Sequence, residues 1–316
     1  MRLYIDQENI ISLMGAKYDF ERMFFLSSCI KLIKRWEVYY NFDRDNIDMS
    51  DETNKLGLWF RLLGTDGIKG CSTFLSKEKL TPSRPLKSNF DRELDKEQLS
   101  AIFLLNVDES ISDEIQQRKA VLFGKVGEEQ MVLNSVLDLI EKHPNKFLNQ
   151  IKDWKDFCPQ FPLTDIILRD PYIFKVYRTE VITDLIEAVV GNHKSPIKMV
   201  LFYNKDNVDA GLDLEKEYKR IKQFLMDISQ NKKSKVTFVS TFDLHDRYLI
   251  TNYYIISSGS GFNRERPSKD DVNVSIEPFA GYKQKLSDFV SKSQHILDIK
   301  KGEGCIGDKS SNFLVF

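Results

Sequence analysis

The sequence predicts an α/β fold in two parts, and three observations support this prediction. Hydrophobic residues make up 41% of the 316 residues and aromatic residues 12%, so the chain can bury a sizeable core. Beyond residue 162 short apolar runs alternate with amphipathic stretches, which is typical of strands and helices layered in a partly parallel sheet. Pro159 and Pro162 stand between the two parts. We therefore expect an N-terminal α/β domain over residues 1–157 and a C-terminal mixed sheet flanked by helices over residues 163–316.

The N-terminal part begins with a short apolar strand at residues 2–5, which ends at Asp6. Apolar side chains recur every three or four positions over residues 18–40, and this spacing predicts one long helix. Residues 41–95 are polar and broken, which is typical of loops. The remaining expected elements are strands at residues 101–105 and 120–123 and helices at residues 128–142 and 145–157.

The C-terminal part alternates more regularly. Apolar runs rich in β-branched and aromatic residues predict strands, and stretches with one apolar face predict helices. The expected strands are residues 165–170, 198–203, 235–240, 246–251, 253–257 and 272–276. The expected helices are residues 180–190, 214–229 and 281–297.

Charge and cysteine spacing exclude several classes of protein. The formal net charge is −1, which argues against a polybasic nucleic-acid binder. Cys29, Cys71, Cys158 and Cys305 form no C-x-x-C pair, so zinc-ribbon spacing is absent and reduced thiols are expected. The N-terminus reaches Asp6 without a signal-peptide hydrophobic region, and no apolar run approaches the ~18 residues of a membrane span. We expect a cytoplasmic protein without a membrane span.

Residue types that handle phosphate cluster between residues 245 and 263. His245 and Arg247 lie two positions apart, so on a strand their side chains point to the same face. A histidine can attack phosphorus or protonate the departing oxygen, and an arginine stabilises the phosphoryl oxygens. Gly259 and Ser260 allow close backbone approach and supply donors, and Asn263 adds an amide donor. The pattern predicts a phosphate site that needs no metal and no cofactor.

The motif H-x-R-x4-N-x6-G-S-x-x-N resembles the phospholipase D superfamily signature H-x-K-x4-D-x6-G-S-x-x-N at every spacing, and the resemblance covers about residues 163–298. Arg247 replaces the family's lysine and Asn252 its aspartate. The resemblance implies a metal-independent phosphodiesterase, a hydrolase working through a phosphohistidine at His245, with Arg247 and Asn263 also in the catalytic set. Nucleic acid is the expected substrate, because soluble single-motif relatives are typically nucleases. The residues expected to contact substrate are Asn252, Gly259 and Ser260.

The chain carries one motif, whereas a working site in this family needs two. His143, His193 and His295 stand in no second motif. The resemblance therefore implies a homodimer whose two-fold axis passes through the site. It also implies a carboxylate that holds the catalytic histidine, for which Asp271 is our choice and Asp270 the reserve.

Two other interpretations stay open. Arg247 differs from lysine in reach and geometry, and Asn252 lacks a carboxylate, so the domain is alternatively an inactive phospholipase-D-like module that binds a phosphate-bearing ligand or a protein. A lipid-binding phospholipase-D-like domain of an ESCRT-associated protein is such a relative. The N-terminal part faintly resembles PIN/NYN-type nucleases, with Asp6, Glu8 and Asp108 as the carboxylates for Mg²⁺. Otherwise the N-terminal domain is expected to recognise substrate or a protein partner.

Overall fold

The structure, a computed structural model, describes residues 2–15, 20–34, 36–40, 42, 47–64, 101–107, 121–141, 145–175, 179–191, 194–241, 247–264, 272–278 and 304–308. Internal contacts divide the chain into two units. The first is Met1–Gln116 with Val121–Glu141, and the second is Gln117–Ala120 with Lys142–Phe316. Each unit combines one sheet with helices, so the predicted α/β class is confirmed.

Within its described residues the first unit contains a parallel sheet of four strands. The strands are β1 (Arg2–Ile5), β2 (Glu37–Tyr40), β3 (Ala101–Leu104) and β4 (Val121–Gly124), in the order β2-β1-β3-β4. The helices are α1 (Gln7–Met14), α2 (Phe20–Ile33), α3 (Lys55–Leu63) and α4 (Glu129–Glu141). β3 is buried along its whole length, as expected for a central parallel strand covered on both faces. Tyr4 and Phe103 stack with ring centroids 4.4 Å apart, which joins β1 to β3.

The helix predicted over residues 18–40 is wrong beyond Ile33, whereas the other predicted elements of this unit are confirmed to within a few residues. Residues Glu37–Tyr40 instead form β2, which pairs in parallel with β1. Val38 and Tyr40 are fully buried there, so packing within the sheet overrides the local helical pattern. The sequence does not predict α1 and α3, which begin at the side-chain caps Asp6 and Asn54.

The second unit is built on a larger, mixed sheet. Its strands are β5 (Asn145–Phe147), β6 (Asp165–Arg169), β7 (Lys198–Asn204), β8 (Lys235–Thr241), β9 (Arg247–Ile250), β10 (Tyr254–Ser258), β11 (Asn273–Pro278) and β12 (Cys305–Gly307). Among the described residues these strands form one sheet in the order β12-β8-β7-β6-β9-β10-β11-β5. β6, β7 and β8 are parallel, and the other pairs are antiparallel.

Two of the three described helices of the second unit connect its parallel strands. The three helices are α5 (Trp154–Phe157), α6 (Thr179–Val190) between β6 and β7, and α7 (Leu214–Ile228) between β7 and β8. Single 3-10 turns lie at Leu148–Gln150 and Lys205–Asn207. None of the described helices, α1 to α7, is long and apolar enough to cross a membrane.

Most elements predicted for the C-terminal part are confirmed, with ends that differ by a few residues, but the helix predicted over residues 145–157 is wrong. That stretch contains β5, a 3-10 turn and α5. β5 forms because it pairs with β11, a contact distant in sequence that no local pattern reveals. The sequence does not predict β12, and the helix predicted over residues 281–297 lies outside the described residues.

The position of β5 also bears on where the two parts of the chain divide. Because β5 and α5 group with the second unit, the division falls near Lys142. The sequence places it later, at Pro159 and Pro162. Pro159 and Pro162 lie in the segment between α5 and β6, and the domain boundary expected there stays a prediction.

Candidate functional site

Strand pairing brings the two halves of the motif together at one edge of the second sheet. In the β9–β10 pair Arg247 lies opposite Ser258, the residue before Gly259. In the β6–β9 pair the register places Arg247 next to Asp170, the residue that follows β6. β9 is antiparallel to β6, so it begins where the parallel strands end. We call this the motif edge: the carboxyl ends of β6 to β8, the start of β9, and the Gly-Ser turn (residues 259–261).

Gly259, Asp170 and Tyr172 each contact the Arg247 guanidinium. Its Nη1 donates to the carbonyl oxygen of Gly259 at 2.9 Å. Its Nε lies 3.7 Å from Oδ1 of Asp170, and only 16% of the Arg247 side chain and 2% of the Asp170 side chain are exposed. Its Cζ lies 5.2 Å from the ring centroid of Tyr172, within cation–π range. These contacts give the guanidinium one preferred orientation beside the Gly-Ser turn.

Asp170 also shapes the loop after β6. Its Oδ1 accepts a hydrogen bond from the backbone N–H of Tyr172 at 2.9 Å. Its own N–H donates to the carbonyl of Phe202 on β7 at 3.2 Å. Farther along this loop, Nζ of Lys175 lies 4.7 Å from the ring centroid of Tyr172. Two cationic side chains, Arg247 and Lys175, therefore contact one aromatic ring.

The Gly-Ser turn packs closely against the same aspartate. Gly261 has a φ of 103°, a conformation that glycine adopts without strain. A Cβ at this position would lie 3.1 Å from Oδ2 of Asp170. Ser258 Oγ donates to the Gly261 carbonyl at 2.6 Å, and the Gly259 N–H donates to the carbonyl of Asn273 at 3.2 Å. The turn is thus fixed by its neighbours, while Gly259 itself is exposed.

Asn252 lies at the far end of β9 and is 1% exposed. Its Oδ1 accepts from the backbone N–H groups of Thr164 and Asp165 at 2.9 and 3.1 Å, and its Nδ2 donates to Thr164 Oγ1 at 3.4 Å. These bonds tie the turn after β9 to the start of β6. An aspartate here would add a second carboxylate beside the fully buried Asp165, which the neutral amide avoids. A substrate contact of Asn252 stays a prediction.

The residues predicted for the site fall into three groups. At the motif edge lie Arg247, Gly259 and Ser260, with Asn263 following the turn. Asn252 is buried at the far end of β9. Outside the described residues are His245, Asp270 and Asp271.

Sequence reasoning missed Asp170 and Tyr172 as members of this site. A signal was present, because Asp170 and Pro171 directly follow residues 165–169, a predicted strand with an apolar centre at 166–168. The partner of that acid is not visible in the sequence, since Arg247 reaches it only through the pairing of β6 with β9.

The first sheet holds Asp6 in a different setting. Asp6 is 3% exposed, and its Oδ1 accepts from the backbone N–H and the Nδ2 of Asn9 at 2.9 and 2.7 Å. Its Oδ2 accepts from the backbone N–H of Asn106. Burial raises the pKa of Asp6, and these hydrogen bonds offset only part of that effect. Glu8 is exposed and Asp108 lies outside the described residues.

Metal ligation requires several donor side chains at one place. The described part of the chain contains no group of three or more histidine, cysteine, aspartate or glutamate side chains placed to hold a metal ion. The three hydrogen bonds to Asp6 assign it a structural role, as the cap of α1 and a tie to Asn106, the second residue after β3.

Comparison with known proteins supports a phospholipase-D-like domain in the second unit. Residues 158–279 match the family model described as the phospholipase D-like domain at the C-terminus of MIT. This range contains the described motif residues, Asp170 and Tyr172. No curated protein matches the chain.

Two solved structures are similar over parts of their length. The archaeal chromatin protein TrmBL2, whose structure shows a novel mode of DNA binding, is 18% identical over 43% of this chain and 44% of that chain, with a TM-score of 0.25. Polyphosphate kinase from Porphyromonas gingivalis is 10% identical over 70% of this chain and 42% of that chain, with a TM-score of 0.26. The chain spans less than half the length of either structure, and at these TM-scores neither carries an argument about function.

Proposed function

We propose that the second unit binds a phosphate-bearing ligand at the motif edge, with nucleic acid as the first class of ligand to test. One observation carries the proposal: Nη1 of Arg247 donates to the Gly259 carbonyl at 2.9 Å, so a positioned guanidinium stands beside the Gly-Ser turn. The phospholipase-D-like match over residues 158–279 supports the same class of site.

This arrangement suits a phosphate for physical reasons. A guanidinium presents several N–H donors in one plane, which match the oxygens of a phosphate. A glycine-containing turn lets a ligand approach the backbone closely, where N–H groups favour an anion. Because Asp170 and Tyr172 already orient Arg247, little side-chain entropy is lost when the ligand binds.

Binding without hydrolysis is the function that this geometry supports best. Arg247 is tied to Asp170 and to a backbone carbonyl, which suits a fixed binding group. Asn252, which stands where the resembled signature has an acid, hydrogen-bonds to the backbone at Thr164 and Asp165. In this proposal the arginine at position 247 serves phosphate binding, and the asparagine at position 252 serves the fold.

The test is an affinity measurement with end-labelled single- and double-stranded DNA and RNA in excess EDTA. Arg247→Gln removes the charge and retains a polar side chain. It is expected to weaken binding at least about tenfold, because hydrogen bonds from charged groups contribute ~1.5–3 kcal/mol. Arg220→Gln is the matched control, since Arg220 lies on α7 and pairs with Glu217 at 2.9 Å. Equal affinities of wild type and Arg247→Gln would contradict the proposal.

Hydrolysis is a second candidate, favoured by the position of Arg247 at the first residue of β9 on the motif edge. His245 stands two residues earlier in the sequence. In this version His245 attacks phosphorus, Arg247 and Asn263 stabilise the phosphoryl oxygens, and Asp271 orients the histidine. A homodimer supplies the second histidine as general acid.

Cleavage of the same labelled nucleic acids separates the two candidates. Products that form in EDTA and disappear in His245→Ala, together with a dimer by analytical ultracentrifugation, favour hydrolysis. Tight binding without products in wild type favours a binding domain. Cleavage that requires Mg²⁺ and persists in His245→Ala contradicts a histidine mechanism at the motif edge.

A further inference from the structure

The motif arginine alone gives the site little net charge. Nε of Arg247 lies 3.7 Å from Oδ1 of Asp170, and the Asp170 side chain is 2% exposed. A shielded carboxylate at this distance offsets most of the positive charge that an approaching anion would experience. Arg247 therefore orients a phosphate, and the attraction that brings an anion to the site needs a further cation.

Lys175 is a further cation that contacts the same aromatic ring as Arg247. It is exposed, and its Nζ is 4.7 Å from the Tyr172 ring centroid, to which Cζ of Arg247 is 5.2 Å. Within the described part of the chain Lys175 takes part in no salt bridge. Among the described residues, then, no acid pairs with Lys175 in the way that Asp170 pairs with Arg247.

The loop that carries Lys175 is anchored at several points. The Tyr172 N–H donates to Oδ1 of Asp170, and the Lys175 N–H donates to the Tyr172 carbonyl at 3.0 Å. Ile173 and Phe174, between them, are each 1% exposed. Because the backbone is tied to the same aspartate that contacts Arg247, Lys175 stays close to the motif edge.

We infer that Lys175, which lies outside the motif, supplies the net positive charge of the phosphate site, and that the Tyr172 ring positions it beside Arg247. This inference rests on the proposed function. It assigns different roles to the two cations, with Lys175 setting the electrostatic attraction and Arg247 the geometry of the bound phosphate. An aromatic ring contributes ~0.5–1 kcal/mol to a cation at an exposed site, enough to favour one placement of a lysine.

The experiment measures the affinity for a labelled single-stranded oligonucleotide at several salt concentrations in EDTA. Lys175→Ala is expected to weaken binding about three- to tenfold and to lower the slope of log affinity against log salt by ~0.7, the value for one phosphate contact on a single strand. Lys175→Arg keeps the charge and is expected to keep the slope. Lys235→Ala is the matched control, because Lys235 is exposed at the start of β8, the end away from the motif edge.

The role of the ring is tested by two substitutions of Tyr172. Tyr172→Phe keeps the ring and serves as the reference against which loss of the ring is measured. Tyr172→Leu removes the ring and is expected to bind at least about two- to fivefold more weakly than Tyr172→Phe, the loss that the exposed contact with Lys175 alone would give. Equal affinity of Tyr172→Leu and Tyr172→Phe would overturn the role assigned to the ring.

The outcomes separate this inference from the proposed function. If Arg247→Gln weakens binding and Lys175→Ala changes neither affinity nor slope, the inference is overturned and the proposed function stands. If wild type does not bind, or Arg247→Gln binds as wild type does, both are overturned. Loss of affinity in both variants, with a lower salt slope in Lys175→Ala, supports both.

Discussion

Two aspartates, Asp6 and Asp170, occupy equivalent positions in the two sheets and perform different tasks. Each follows a buried parallel strand directly, and each is at most 3% exposed. The Asp6 carboxylate accepts hydrogen bonds from Asn9 and Asn106, which both belong to the first unit. The Asp170 carboxylate accepts from a backbone N–H and also lies beside the Arg247 guanidinium. An acid at the end of a parallel strand therefore indicates a ligand site only where a group that can bind ligand stands beside it.

Asp6→Ala is expected to give the largest effect and to leave ligand binding unchanged. The substitution removes the cap of α1, which contributes ~1 kcal/mol, and leaves the N–H of Asn106 without its acceptor, at a cost of ~1–3 kcal/mol. Hydrogen exchange of amides in α1 should show about 2–4 kcal/mol lower stability. If the folded variant lost oligonucleotide affinity, Asp6 would also contribute to ligand binding. The distinction drawn between Asp6 and Asp170 would then be wrong.

Gly261→Ala is expected to destabilise the second unit by about 1–2 kcal/mol. The φ of 103° disfavours a side chain, and the new Cβ would lie 3.1 Å from Oδ2 of Asp170. Gly259→Ala is the matched control, because a Cβ there meets no atom within 4 Å. Chemical denaturation of both variants checks the difference, and equal stabilities would show that the turn is not packed against Asp170.

Asp170→Asn is expected to strengthen ligand binding while lowering stability. The amide retains an acceptor for the Tyr172 N–H but no longer offsets the charge of Arg247. We expect oligonucleotide affinity to rise about three- to tenfold. This gain corresponds to roughly 1 kcal/mol, the attraction for the anion that the Asp170 carboxylate had cancelled. Unchanged or weaker binding in a folded variant would mean that Asp170 does not limit the attraction at the motif edge.

The smallest expected effect is a dependence of the stability of the first unit on pH. Burial raises the pKa of Asp6 above 3.8, so the folded protein holds this proton more firmly than the unfolded chain does. The contribution of Asp6 to stability therefore falls as pH rises from about 3.8 through the folded-state pKa, and then levels off. The Asp6→Asn side chain cannot titrate, so this variant should lack the fall in stability with rising pH. Hydrogen exchange at α1 amides between about pH 4 and pH 7 gives the comparison, and identical slopes would refute it.

Much of the fold is predictable from sequence because its strands and helices carry local patterns. The runs that form β3, β6, β7 and β8 are apolar and bounded by polar or turn-forming residues, and α6 and α7 show one apolar face. β2 and β5 are short, and each exists because it pairs with a strand distant in sequence. A local helical pattern was therefore misleading at both places.

Some residues of the candidate site are likewise predictable from local sequence, and others depend on contacts between distant residues. The spacing of the motif is local and locates Arg247 and the Gly-Ser turn, which the structure places together. The role of Asp170 depends on the pairing of β6 with β9, and the burial of Asn252 depends on its bonds to Thr164 and Asp165. These contacts join residues far apart in the chain, so residue types and spacing do not reveal them.

The most direct test of a phosphate site at the motif edge observes the Arg247 guanidinium itself. The Nε–Hε signals of arginine side chains can be followed by NMR while inorganic phosphate, and then a short oligonucleotide, is added in EDTA. A phosphate site at the motif edge predicts a saturable shift of the Arg247 signal, which is assigned by its absence in Arg247→Gln, while the Arg220 signal stays unmoved. Saturation without a shift at Arg247, or equal shifts at both arginines, would contradict it.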